Sequence, residues 1–77
     1  MKWGLKMYFT DVRGAAWLLN LRESTIYERM KRGVTQYRMF GKHYLIPFQE
    51  IEKESGLSHS QILERLRINN LAIWGEV

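Results

Sequence analysis

The stretch Ala15-Ala16-Trp17-Leu18-Leu19-Asn20-Leu21-Arg22-Glu23-Ser24-Thr25-Ile26-Tyr27-Glu28-Arg29-Met30-Lys31-Arg32-Gly33 decides the reading of this chain. It reads as the end of one helix, a tight turn at Asn20, and a second helix closed by Gly33. In the second segment Ser24, Tyr27, Glu28 and Lys31 recur at i, i+3, i+4 and i+7, an outward polar stripe. Ile26 and Met30 mark the side that faces a core. Asparagine tolerates the left-handed conformation that such a turn needs, and Leu21 is placed to plug the gap between the helices. Gly33 suits a left-handed helix end, and Lys31 and Arg32 suit the negative end of the helix dipole. Two short helices with this connection, the second presenting polar and basic groups, have the geometry that places side chains in a DNA major groove.

Upstream, Val12, Ala15, Ala16 and Leu19 give the first helix its inner face, and the two alanines allow close approach of a neighbour. Its start is expected at Asp11 or Thr10, each with an oxygen for the first unsatisfied amides. Gly14 inside a helix costs up to ~1 kcal/mol relative to alanine, so packing or backbone approach must compensate. The lead ending Met7-Tyr8-Phe9 is apolar and reads as a strand laid on the core.

Downstream, Tyr37-Arg38-Met39-Phe40 and His43-Tyr44-Leu45-Ile46 are strand-like runs joined by Gly41-Lys42, which predicts a type II′ β-hairpin with a basic tip. Pro47 is expected at the first position of a third helix, with Phe48 and Ile51 inward, Glu50 and Glu52 near its start, and Gly56 ending it. A fourth helix starts at Ser58. Ser58 and Gln61 have capping-box spacing, and Leu57 and Ile62 have that of a hydrophobic staple. Its apolar stripe, Ile62, Leu63 and Leu66, fades at Asn69-Asn70. The tail Leu71-Ala72-Ile73-Trp74 either packs back on the domain or meets a second chain.

Seventy-seven residues make one domain, and a chain of this size buries only roughly 60% of the surface its unfolded form exposes. With 45% hydrophobic and 26% charged residues it lies far from the composition of disordered chains. Ten aromatic residues (3 Trp, 4 Tyr, 3 Phe) supply large buried areas. The fold class expected is mostly α with a small β-hairpin, a single domain over 1–77 with a core at 9–56 and an additional helix and apolar tail at 57–77. No internal repeat or linker argues for a second domain. The absence of cysteine excludes disulfides and Cys-based zinc sites. No segment approaches the ~20 apolar residues that span a bilayer, and no signal-peptide pattern is present, so a cytoplasmic protein is expected.

Charge is asymmetric. Residues 1–45 carry nine Lys or Arg against three acids, a balance of +6; residues 46–77 carry three against five, a balance of −2, which sums to the net +4. A basic front and a mildly acidic rear suit a protein that turns one face to a polyanion.

Taken together, Ala15-Ala16 followed by Leu18-Leu19, Ser24-Thr25-Ile26-Tyr27, Gly33, the Gly41-Lys42 hairpin, Tyr44 and Ile46-Pro47 resemble the winged helix-turn-helix of the excisionase and MerR-like class, small DNA-binding domains of bacteria, phages and mobile elements. The resemblance covers about Phe9 to Glu54. It implies a second helix in the major groove and a hairpin wing on the flanking minor groove or backbone. It also implies a bacterial or phage-encoded, nucleoid-associated protein. The chain departs from that pattern in three places. Asn20 stands where glycine is frequent, His43 stands where arginine is common, and Arg22 stands where a serine usually caps the recognition helix. Arginine offers no acceptor to the orphan amides, yet it puts a phosphate or guanine ligand at the groove-facing end.

The candidate DNA-binding residues are therefore Arg22, Glu23, Ser24, Thr25, Tyr27, Glu28, Lys31 and Arg32 on the recognition helix, and Arg38, Lys42 and His43 on the wing. The hydroxyls of Ser24, Thr25 and Tyr27 suit phosphate or base edges, and Lys31 and Lys42 suit phosphate. Glu23 and Glu28 either accept from cytosine amino groups, orient Arg22 and Lys31, or form helix-stabilising pairs. Trp3, Trp17 and Trp74 read as core or interface residues. His43 and His59 lie in different segments with no third ligand at zinc-like spacing, so no metal is assigned. No nucleophile has an identifiable base and no glycine-rich phosphate loop occurs, so neither an enzyme nor a cofactor is expected. The partner expected is double-stranded DNA, bound by a small transcription regulator or excisionase-like recombination factor, with a homodimer or cooperative oligomer through 57–77 as an option. Two other classes stay open: a targeting module for a recombinase or transposase, and a protein-interaction module such as an anti-repressor.

Overall fold

In a computed structural model, which describes residues 7–75, the turn at Asn20 has the left-handed backbone that asparagine permits, with φ 57° and ψ 45°. It joins α1 (Val12–Leu19) to α2 (Glu23–Lys31). The Leu21 amide donates back to Ala16 O at 2.9 Å and the Asn20 amide to Trp17 O at 3.3 Å, which satisfies carbonyls that the helix end leaves open. α2 ends likewise at Gly33 (φ 77°), with Val34 N–H on Arg29 O at 2.8 Å and Gly33 N–H on Met30 O at 3.1 Å. Asp11 caps α1, its Oδ1 accepting from the Gly14 amide at 2.8 Å. Ala15 is fully buried and Ala16 nearly so, and the small side chains let α1 and α2 pack closely.

The remaining elements are β1 (Tyr8–Thr10), β2 (Arg38–Phe40), β3 (His43–Pro47), α3 (Phe48–Ser55), α4 (His59–Ile68) and β4 (Trp74–Gly75). About half of the chain is helical, and the strands form one antiparallel sheet in the order β2-β3-β1-β4. The expectation of a lone hairpin is thus too small. β1 and β4 extend the hairpin through the pairs Thr10↔Ile46, Phe9↔Pro47, Phe9↔Trp74 and Tyr8↔Gly75. The tail packs back on the domain as the fourth strand. Residues 1–6, which include Trp3 and most of the apolar lead, lie outside the described residues.

Pro47 differs from its expected place. It is the last residue of β3 and the N-cap of α3, with φ −62° and ψ 145°, and Phe48 is the first helical residue. Its extended ψ keeps it in register opposite Phe9, where the lack of an N–H is tolerated at a strand end. The start of α4 follows its sequence signature: Ser58 Oγ accepts from Gln61 N at 3.2 Å, and Gln61 Oε1 accepts from Ser58 N at 2.9 Å. Ser55 links α3 to α4, its hydroxyl donating to Ile51 O at 2.6 Å and accepting from Leu57 N at 3.0 Å.

One apolar cluster joins Val12, Ala15, Ala16 and Leu18 of α1, Ile26 and Met30 of α2, Ile46 of β3, Phe48 and Ile51 of α3, and Ile62 and Leu66 of α4. Residues beyond 56 therefore belong to the same core as those before. Gly14 finds its explanation here: a Cβ at that position would lie 2.0 Å from Thr10 Oγ1 and 3.2 Å from Leu66 Cδ2. The buried Thr10 hydroxyl in turn donates to Ala72 O at 2.9 Å, so α1, β1, α4 and the tail meet where only glycine fits.

At β1 and β3 the sheet buries residues on both of its sides. Strand alternation and the pairings put Tyr8, Thr10, Met39, Tyr44 and Ile46 on the helix side. Phe9, Arg38, Phe40, His43, Leu45, Pro47 and Trp74 lie on the other side. Phe9 and Leu45, at 1% and 0% exposure, are buried outside the main cluster. This explains why Tyr44-Leu45-Ile46 is apolar without a break rather than alternating.

Candidate nucleic-acid interface

α2 begins at Arg22, whose backbone is extended (φ −79°, ψ 152°) and whose side chain makes no capping hydrogen bond. The first turn is held by the Arg22 carbonyl alone, which accepts from Thr25 N at 3.0 Å and Ile26 N at 3.2 Å, with Glu23 placed to favour the helix dipole. Arg22, Glu23, Ser24, Tyr27, Glu28, Lys31 and Arg32 are exposed and Thr25 is half-buried, while Ile26 and Met30 face the core. The stripe expected from the spacing is the outward side of the helix.

The hairpin stands beside it. Its two-residue loop joins Phe40 to His43 in register, with Gly41 at φ 62° and Lys42 at negative φ, the signs that a II′ turn requires. Tyr44 of β3 meets Tyr27 of α2 edge-on, with centroids 5.5 Å apart and planes at 85°, and Tyr37 adds a third ring 5.7 Å from Tyr44. The Tyr27–Tyr44 contact ties the hairpin to α2. Between them opens a cleft bordered by Asp11, Arg13, Glu23, Tyr27, Lys42, His43 and Tyr44.

Arg13 is the residue that the sequence reading missed. It projects from the first turn of α1, where a cation opposes the helix dipole, and that unfavourable placement was the available signal. Arg38 and His43 follow the alternation of their strands. They share the sheet side opposite Tyr44: the Arg38 guanidinium lies over the Phe9 ring, 5.2 Å from its centroid, and the His43 ring lies 5.0 Å from Trp74. Of the three hairpin candidates, Lys42 at the tip and His43 both border the cleft beside α2, and the His43 ring rests on Trp74.

The pairing of charges sorts the cations. Arg29, on the inner edge of α2, is bound to Glu54 of α3, and Lys53 reaches Glu50 at 3.4 Å. Arg13, Arg22, Lys31, Arg32 and Lys42 take part in no ion pair or hydrogen bond of their side chains with the described residues. Glu23 and Glu28 are likewise in no ion pair with the described residues, so the helix-pairing alternative for them is not what the structure shows. His59 lies at the start of α4, its ring 5.2 Å from Tyr8 and 5.1 Å from Phe48, far in the chain from His43. No group of three metal-ligating side chains occurs among the described residues, and no helix among them is long and apolar enough to cross a membrane. Comparison with protein-family models, with curated proteins and with solved structures finds no match for this chain.

Proposed function

We propose that this chain is a winged helix-turn-helix protein that binds duplex DNA at a specific sequence and acts without catalysis, as a small transcription regulator or recombination accessory factor. The observation that carries the reading is that Glu23 and Tyr27 of α2, the Lys42 hairpin tip and Arg13 of α1 border one cleft beside the exposed side of α2. Its two cations, Arg13 and Lys42, and the exposed Arg22, Lys31 and Arg32 of α2 are in no ion pair with the described residues, while Arg29 on the inner edge of the same helix is paired.

In this reading α2 is the recognition helix. A major groove about 12 Å wide admits one helix, and the uncapped start would project the Arg22 guanidinium toward base edges, where its two donors match guanine O6 and N7. Ser24, Thr25 and Tyr27 offer hydroxyls to phosphates or base edges, and Lys31, Arg32, Lys42 and Arg13 neutralise phosphates on either side. Glu23 and Glu28 exclude badly placed phosphates and can accept from cytosine amino groups. About six phosphate contacts give a log-log salt slope near −5.

Selection from random duplexes followed by titration at several salt concentrations tests this. A defined site and a steep slope are expected. Micromolar or weaker binding with no sequence preference in the selected pool sinks it.

A further inference from the structure

We propose that Trp74 is a positioning residue for the hairpin, bracing the tip from the side opposite α2 so that Lys42 meets DNA at a fixed distance from the helix. The proposal rests on the duplex-binding reading for what the hairpin does, and not for how it is held.

The hairpin is held unevenly. β2 is an outer strand, paired to β3 alone, and all three of its residues are exposed. On the helix side one ring contact, Tyr27 with Tyr44, ties it to α2. On the other side the two residues that flank the Gly41-Lys42 turn, Phe40 and His43, both rest on Trp74, with centroids 5.8 and 5.0 Å away. Phe40 and His43 are the closing pair of the ladder, so a group that holds both fixes the direction in which Lys42 leaves the sheet. Trp74 is itself anchored: its strand pairs with β1 through Phe9↔Trp74 and Tyr8↔Gly75, and Ala72, two residues earlier, accepts from the buried Thr10 hydroxyl. A two-residue strand contributes little ladder of its own. Its indole therefore does what its hydrogen bonds cannot: it carries the rigidity of the core across the sheet to the tip. The basic end of the hairpin is clamped between a tyrosine from α2 and a tryptophan from β4.

Trp74→Ala and Trp74→Phe in the full chain test this, with Phe40→Ala removing the other half of the contact while leaving β4 intact. Amide hydrogen exchange in β2 and β3 is expected to accelerate about tenfold in Trp74→Ala and Phe40→Ala, with α1 and α2 unchanged, and the His43 ring protons should lose their upfield ring-current shift in Trp74→Ala. On the selected duplex both variants should bind about tenfold more weakly, and Lys42→Ala should add less than twofold in the Trp74→Ala background because its contact is already misplaced. Trp74→Phe should restore most of each effect. Unchanged hairpin exchange, or a Lys42→Ala effect of full size in the Trp74→Ala background, overturns the proposal. If Trp74→Ala accelerates exchange throughout the molecule, Phe40→Ala decides between bracing and general stability, unchanged hairpin exchange in that variant overturning the proposal. If the wild-type protein binds no duplex, the functional reading fails while exchange and the His43 shift still decide the bracing.

Discussion

α2 and α4 start with nearly the same backbone and opposite chemistry. The N-cap residues have φ/ψ of −79°/152° at Arg22 and −79°/166° at Ser58. Ser58 closes a reciprocal pair of hydrogen bonds with Gln61, whereas Arg22 gives its helix nothing but a carbonyl. A missing side-chain cap costs about 1 kcal/mol, so the chain forgoes stability at one start that it secures at the other. The difference separates a rear that holds the molecule together from a front that presents groups outward. α4 and its seat on α1 form the rear; α2 and the hairpin tip form the front.

Substitutions that should move one side and not the other sharpen this division. The largest effect belongs to the rear. Gly14→Ala forces a methyl against Thr10 and Leu66, and overpacking at such a site should destabilise by about 2 to 3 kcal/mol, lowering the melting temperature by about 10–20 °C in a thermal scan. A melting point within 2 °C or so of wild type would show that Thr10 has room to turn away. Next comes the front: Arg22→Ala should lose roughly 1 to 3 kcal/mol of discrimination at one base position, read by competition between duplexes, with stability almost unchanged. Equal losses on all sequences would mean that Arg22 touches only backbone. Ser58→Ala should cost about 1 kcal/mol in denaturant unfolding and leave DNA affinity alone; a loss of affinity instead would place α4 in the interface. The smallest effect has the opposite sign. Arg22→Ser installs the absent cap and should stabilise the protein by about 0.5–1 kcal/mol while abolishing the same base preference, and a variant that gains stability and keeps specificity would break the division.

The features that the sequence disclosed are those governed by neighbours a few residues apart. The left-handed turn at Asn20, the glycine end of α2, the two-residue hairpin loop and the Ser58–Gln61 box each depend on local backbone chemistry, and each appears where its residues predict it. β4 stayed hidden because two residues carry no alternation to detect and their partner strand lies at the other end of the sequence. The packing of Arg38 and His43 was not legible for a related reason: parity puts them opposite Tyr44, but only the tertiary structure tells that Tyr44 is the side facing α2. The unbroken Tyr44-Leu45-Ile46 run held the clue that both faces of that strand are covered. Among candidate site residues, helix periodicity sorted the outward side of α2 correctly, and Arg13 escaped because it belongs to no periodic set.

The bond from Thr10 to Ala72 spans 62 positions of sequence. Closing so large a loop costs more entropy than the local closures of the α1–α2 turn or the hairpin, so chain entropy alone predicts that this seam forms after them, an order that site-resolved amide exchange checks. The first opening of the fold on heating is accordingly expected at the join of β1 with the tail rather than at the turn between α1 and α2.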